Sequence, residues 1–504
     1  MTSPALPDPA ASDLRGSRGE AVRSGHADHV GHADHADHMG HFAAVPRLRA
    51  RTVAIDPPRG ADDPASTSRT LLGLLPGLAP GGRRPHDLSA WVRDGEGMVG
   101  WGCVAAVRTD GPERFARARA WWADTVSRID VRDDVGIFGS GPLAFASFSY
   151  AAGSPAGSAL VVPAVVVGHR EGTWWRTTIE RADAAGSADS ADSADSADSA
   201  GSADSAGSAA GSVDSSAGPV SGPVAAPEPH GAIAFADGAR SGPQYRKAVA
   251  AAVSHIGRGE VDKVVLARDL LAQAERPIDA RLLLDRLARG YPRTWVFCVD
   301  GLLGATPEML VRLERGLVTS RVLAGTIRRT GDDEHDLALA GSLARSSKDL
   351  EEHEYAVRSV ADALAPHCTS MNVPESPFVL HLPNVMHLAT DVAGRTRNGD
   401  SSLALAAALH PSAAVCGTPC AAADALIARL EGMDRGRYAG PVGWMDAAGD
   451  GEWGIALRSG ELDPDQPRRI RIFAGCGIVA GSDPNEELRE SEAKLVPMRD
   501  ALTG

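Results

Sequence analysis

Between Tyr245 and the C-terminus apolar positions recur without a long polar break, and their period changes from segment to segment. In Lys247–Ile256 (KAVAAAVSHI) they follow the helical period. Val261–Ala272 (VDKVVLARDLLA) is an apolar run flanking a single lysine and predicts a strand. Thr294–Leu313 predicts two strands around a turn. Ser346–Leu364 is strongly amphipathic and predicts a helix, as does Ser401–Leu409. Tyr438–Asp446 and Trp453–Leu462 predict strands joined by the turn AAGDGE. Arg469–Gly481 predicts a strand ending in glycines, and Asn485–Leu502 a closing helix. The strands arrive in hairpins rather than in strict strand–helix alternation, so the pattern predicts an α+β domain and not a doubly wound one.

Upstream the picture is patchier. Residues 85–182 alternate apolar stretches (VGWGCVAAV, LAFASFSY, ALVVPAVVVG) with a helical stretch around ERFARARAWWADTV, and hold no catalytic constellation. Residues 183–230 are mostly a Ser/Ala/Asp/Gly repeat, without side chains large enough for a core, and predict a solvated linker. Residues 1–84 are expected to be mostly a disordered tail. It carries His26, His29, His32, His35, His38 and His41 at a spacing of three. That period builds no compact ligand cage on a helix or strand, so a slipped repeat without a role is favoured over a metal-binding tract. Residues 231–504 are left as the catalytic domain.

Composition narrows the functional classes. A net charge of −14 argues against nucleic-acid binding, which needs clustered cations. No apolar run is long enough to span a bilayer and no leader pattern opens the chain, so a cytoplasmic location is expected, away from membranes. The 6 cysteines lack zinc-ribbon spacing and read as reduced thiols. Of the 51 basic residues only Lys247, Lys263, Lys348 and Lys494 are lysine. Arginine does not lose its proton near neutral pH and a desolvated lysine can, which ranks these lysines as candidates for chemistry.

Asp349 and Glu352 share a helix face at a spacing of three, and Glu487 and Glu490 repeat the arrangement on the last helix, one turn before Lys494. Two such helices could converge on a hard cation, but from spacing alone solvated faces with ordinary salt bridges are strongly favoured. Ala324-Gly325-Thr326 and Ala474-Gly475-Cys476-Gly477 offer bare backbone that can meet an anion. Lys263 lies between apolar residues and Glu308 follows a proline, giving one candidate base and one candidate acid. Such a pair suits the exchange of a hydroxyl for another nucleophile.

The segments KVVLAR (263–268), GATPEML (304–310), AGT (324–326), SSKDLEEHEYAV (346–357), HLAT (387–390), LHPSAAVCGTP (409–419), YAGPVGWMDAAGDGE (438–452), IALRSG (455–460) and AGCGIVAGSDPNEELRESEAKL (474–495) occur in this order. Together they resemble the chorismate-binding enzymes, nearest to the isochorismate synthases. The resemblance implies a large mixed or antiparallel β-sandwich with helices packed outside. It implies Mg²⁺ held by Glu352 and Glu490, with Asp349 and Glu487 behind them. It places Gly325, Thr326 and His387 on the ring side of a chorismate pocket, and Tyr438, Arg458, Gly475 and Lys494 around the enolpyruvyl carboxylate. Ala414, in the HPSAAVCGTP block, is a further substrate-side position; Ala413 departs from the proline of many relatives. Members that transfer ammonia lack a lysine at position 263, so its presence implies water as nucleophile, Lys263 as base and Glu308 as acid. The expected product is isochorismate, which serves menaquinone and catecholate siderophore biosynthesis. Salicylate synthase, which goes on to eliminate pyruvate, or another chorismate-utilising synthase is the alternative. A monomer working without an amidotransferase subunit is expected.

Overall fold

The computed structural model describes residues 45–58, 64–77, 87–182, 226–382, 385–397 and 399–504. Several of its central strands are buried at every position. Trp295–Val299 shows why. Trp295, Phe297 and Val299 enter an apolar cluster with Trp91, Phe145 and Trp444. Val296 and Cys298 enter another with Leu283, Leu287 and Leu495. Successive side chains point to opposite faces of a strand, so a strand covered on both faces must be apolar throughout.

Two sheets result. The first runs from Ile233–Asp237 through Lys263–Ala274, Arg469–Ile478, Ser459–Leu462, Leu302–Thr306 and Trp295–Val299 to Leu88–Arg93, and on through N-terminal strands to Ile129–Asp133. The second runs from Cys368–Asn372 through Val385–Thr396, Leu317–Arg328, Met309–Glu314, Gly451–Ile455 and Pro441–Asp446 to Leu143–Ser147, Ser158–Val162 and Ala105–Thr109. Among the described residues every pairing is antiparallel except that of Leu48–Ala54 with Ile129–Asp133. The cluster between the sheets contains no helical residue, whereas the helices Pro64–Gly73, Ala280–Gly290 and Pro484–Thr503 close the outer face of the first sheet. This is the α+β sandwich that the resemblance implies. No helix among the described residues is long and apolar enough to cross a membrane.

Among the places where the chain changes sheets, two pairs of crossings lie side by side and bond to each other. In one pair, residues 102–104 lie beside residues 163–164: Val104 N donates to Val162 O (3.0 Å) and Ala164 N to Trp101 O (3.1 Å). In the other, residues 307–308 lie beside residues 456–458. Ile455 N donates to Glu308 O and Ala305 N to Arg458 O, both at 3.2 Å. Thr306 Oγ1 ties the corner with a 2.6 Å bond to Ile455 O. This second corner corrects two sequence expectations. Thr294–Leu313 forms three strands, not two, because Pro307 has no N–H to continue the ladder and the chain changes sheets there. Trp453–Leu462 forms two strands, not one, broken where Arg458 takes a left-handed backbone (φ 49°).

The expected tail through residue 84 is too long. Leu48–Ala54 is a strand whose buried residues alternate with exposed ones, and the helix Pro64–Gly73 buries Leu71 and Leu72. The histidine tract lies outside the described residues, as does the predicted linker up to residue 225. Beyond it His230 Nε2 lies 2.7 Å from Leu502 O. Phe297 is fully buried, tilted against Trp91 at 6.5 Å between ring centroids. Phe297→Ala should therefore cost about 3–5 kcal/mol in denaturant titrations, whereas Val131→Ala, at a half-exposed site, should cost under about 0.5 kcal/mol.

Candidate active site

Lys263 is the first residue of its strand, in register with Thr418. Its amino group donates to Glu352 Oε1 at 2.6 Å, joining the first sheet to the helix Ser347–Leu364. Gly477 makes room for it: a Cβ there would lie 2.9 Å from Lys263 Cε and 3.4 Å from Nζ.

Glu308 and Arg458 occupy the second corner. Glu308 is buried, and its carboxyl has no hydrogen-bond partner among the described residues. Burial pushes its pKa up to about 7, against the opposing pull of Lys263, Arg458 and Lys494. A carboxylic acid in that state can still donate a proton near neutrality. Arg458 is half-buried and makes no ion pair with a described carboxylate. Burial lowers its pKa, and Tyr438, Cys476, Glu490 and Glu308 oppose that shift.

Gly325 sits in a bulge between Ala324 and Thr326 with φ 75°, a backbone that favours glycine. A Cβ there would meet Asp349 Cβ at 3.1 Å, so Asp349 is turned toward this strand. Thr326 pairs in register with His387, and its hydroxyl lies 3.0 Å from His387 Nδ1. Burial, reinforced by Arg458 and Lys494, lowers the His387 pKa to about 3 and keeps the ring neutral. Its Nε2 is buried without a partner among the described residues.

On the closing helix Lys494 binds Glu490 Oε1 at 2.7 Å and donates to Gly475 O at 3.0 Å. Burial works against the Lys494 ammonium, yet Cys476 and Glu490 carry its pKa above the usual lysine value. Glu490 is held below the usual carboxylate range: burial raises it, and the charge and hydrogen bond of Lys494 more than reverse that. Tyr438 stacks on Phe473 at 5.1 Å and 9°, and a Cβ on Gly475 would lie 3.3 Å from its hydroxyl. Ala414 lines the same small cavity as Glu308.

The donor atoms of Cys476, Glu487 and Glu490 lie within 4.8 Å of one another. Burial pushes the Cys476 thiol up to about 12, and it donates to Glu487 O, so the carboxylates are the donors suited to a hard cation. Glu352 is outside that group and turned to Lys263. The carboxylates of Glu487 and Glu490 suit a divalent cation by chemistry, but both come from the closing helix, and the structure does not bring Glu352, the expected second ligand, into their group. Sequence reasoning gave Phe473 no role and read Gly477 only as bare backbone for an anion, not as the space that Lys263 occupies. Gly477 is in register with Val265, two residues along from Lys263, so its contact with the lysine side chain is diagonal.

The family model described as "chorismate binding enzyme" matches residues 90–503. The chain is 38% identical over 270 residues to the isochorismate synthase DhbC of Bacillus subtilis, covering 51% of this chain and 67% of that one. It is 38% identical over 259 residues to the isochorismate synthase EntC of Escherichia coli, covering 50% and 66%. The structure of MenF, the menaquinone-specific isochorismate synthase of Escherichia coli, superposes with a TM-score of 0.67 over 91% of this chain and 95% of that one. At 22% identity that likeness shows the fold alone. The match across most of the chain, on a fold that gathers the quoted motifs at one corner, makes this protein an enzyme of the chorismate-binding family.

Proposed function

We propose that the protein is an isochorismate synthase, converting chorismate to isochorismate in a Mg²⁺-dependent reaction. The observation that carries this reading is a lysine and a protonatable buried glutamate within electrostatic reach of each other at one site. In this reading Lys263 leaves Glu352 and takes a proton from a water molecule as the water oxygen bonds to C2 of the ring. The ring double bonds shift, the C4–O bond breaks, and Glu308 gives its proton to the departing hydroxyl, which leaves as water. One water is consumed and one released, so substrate and product are isomers. Glu352 and Glu490 would hold the Mg²⁺ ion, which when bound supplies positive charge for the ring carboxylate.

Arg458 and Lys494 supply the remaining cations, and Tyr438 and the Gly475 backbone shape the place for the enolpyruvyl carboxylate. His387 offers the ring side an unpartnered nitrogen, with Gly325, Thr326 and Ala414 close to its walls. A carboxylate on the substrate could take up the charge that Arg458 leaves unpaired.

The direct test incubates the full chain with chorismate and Mg²⁺ and separates the products. Isochorismate should accumulate. Salicylate as the main product, or no turnover, would reject the reading. Lys263→Ala and Glu308→Gln should each lower kcat by about 10²-fold or more while the thermal unfolding midpoint stays close to wild type. Normal rates in either variant would remove the acid–base assignment. The proton on Glu308 is lost as pH rises through its raised value of about 7. Turnover that needs the protonated form should therefore fall on the alkaline side of about pH 7, at about tenfold per pH unit. A flat profile from pH 6.5 to about 9 would contradict the role of Glu308 as acid.

A further inference from the structure

A cavity of about 510 Å³ opens elsewhere in the molecule, and none of the site residues described above line it. Its aromatic wall is Phe115, which stacks on Phe148 at 4.4 Å and meets His410 at 5.7 Å. Tyr150 meets the same imidazole edge-on. Leu403, Ala404 and Ala407 supply an aliphatic wall from the helix Ser402–Ala408.

The charge of this lining is positive, although the chain as a whole carries −14. Arg114 is buried and spends its guanidinium on backbone carbonyls: Ser149 O and Gly111 O at 3.3 Å and Tyr150 O at 3.1 Å. It has no ion pair with a described carboxylate, and neither has the exposed Arg119 at the rim. His367 is taken by Asp400 at 2.8 Å, and Asp424 is the one acidic residue of the lining. The Arg114 guanidinium also lies over the Phe115 ring at 4.7 Å, and a buried cation held by dipoles and a ring face still gains from an anion placed beside it. Aromatic surface beside a guanidinium that no described carboxylate pairs selects a ligand with a flat ring and a single negative charge.

The segment from His410 to Thr418 joins this cavity to the candidate active site. His410 and Pro411 line the cavity. Ser412, Ala413 and Ala414 line the small cavity that includes Glu308. Cys416 O accepts from Val265 N at 2.8 Å, and Thr418 is in register with Lys263. A displacement at one end of such a packed, hydrogen-bonded run is felt at the other.

We propose that this cavity is a second ligand site, that it takes a small aromatic monocarboxylate, and that its occupancy lowers turnover through the 410–418 segment. The test titrates benzoate into the full-length protein by calorimetry, with benzamide as the uncharged isostere. One saturable benzoate site is expected, with benzamide at least about tenfold weaker. Ala407→Trp fills the cavity and should abolish benzoate binding while leaving turnover without benzoate unchanged. Arg119→Glu, at an exposed position, should weaken binding at least about tenfold, which keeps the test decidable if the tryptophan variant fails to fold. Saturating benzoate should lower the wild-type kcat at least about twofold without raising the KM for chorismate. The proposal is overturned by an absence of saturable binding, by binding that survives both substitutions, by competition with chorismate, or by an unchanged kcat at saturation. The calorimetric outcomes do not involve the reaction, so they stand or fall apart from the isochorismate reading.

Discussion

A strand covered on both faces admits a charged side chain only where its cover ends. The central strands of both sheets are largely of that kind, with Asp269, held by Arg471, a paired exception, and the candidate site is built from places where the rule lapses. Lys263 is the first residue of its strand. Glu308 and Arg458 lie where the chain leaves one sheet for the other. Gly325 lies in a bulge, and Gly475 and Gly477 remove side chains from a strand that would otherwise fill the space. The other pair of crossings makes the comparison. Residues 102–104 and 163–164 carry the same kind of cross-bonding, yet their one titratable group is Cys103, whose thiol burial pushes up to about 11. The corner is a property of the fold, and the chemistry is a property of the residues placed in one of its two copies.

Charge at that corner is arranged in pairs and exceptions. Two of the chain's four lysines are there, each bound to a carboxylate: Lys263 to Glu352 and Lys494 to Glu490. Among the described residues Arg458 has no ion-pair partner at that corner, and His387 is neutral there. Burial makes these groups sensitive to what enters, because an opposite charge acts far more strongly there than in water. In the proposed reading the overall −14 is therefore no obstacle to an anionic substrate, since the field that matters is local.

The sequence disclosed periodicity well and continuity poorly. The helices around Ser346–Leu364 and Asn485–Leu502 carry a polar face beside an apolar one, so their register and their acidic pairs were readable. The corner was not. A strand that changes sheets stays apolar on both sides of the change, so nothing in the pattern marks it except Pro307 and the left-handed Arg458. The strand Leu48–Ala54 escaped for a different reason. Its alternation was present, but arginines fill the exposed positions and the flanking tail is polar, which gave the stretch the look of more tail. Glu308 was legible as a carboxyl after proline at a strand edge. Its neutral state depends on burial by residues remote in sequence, which no local pattern reports.

The same reasoning explains why the N-terminal stretch, which holds no catalytic constellation, is part of the enzyme. Seven of the fifteen residues in the cluster between the sheets come from positions 91–175: Trp91, Met98, Phe138, Leu143, Phe145, Val166 and Trp175. Leu88–Arg93 pairs directly with Trp295–Val299, and Trp91 Nε1 donates to Glu452 Oε2 at 2.7 Å, next to the strand that leads into the Arg458 corner. Arg437 bonds Asp300 and Glu461 on the first sheet and Ser147 on the second, so an N-terminal strand shares in fixing the loop that carries Tyr438. Cutting the chain at the Ser/Ala/Asp/Gly repeat would strip one face from Phe297 and Trp444 and expose the strands that define the corner. The residues that would act are all in one half of the sequence, but the packed sheets that carry the Glu308 and Arg458 corner are held together by both halves.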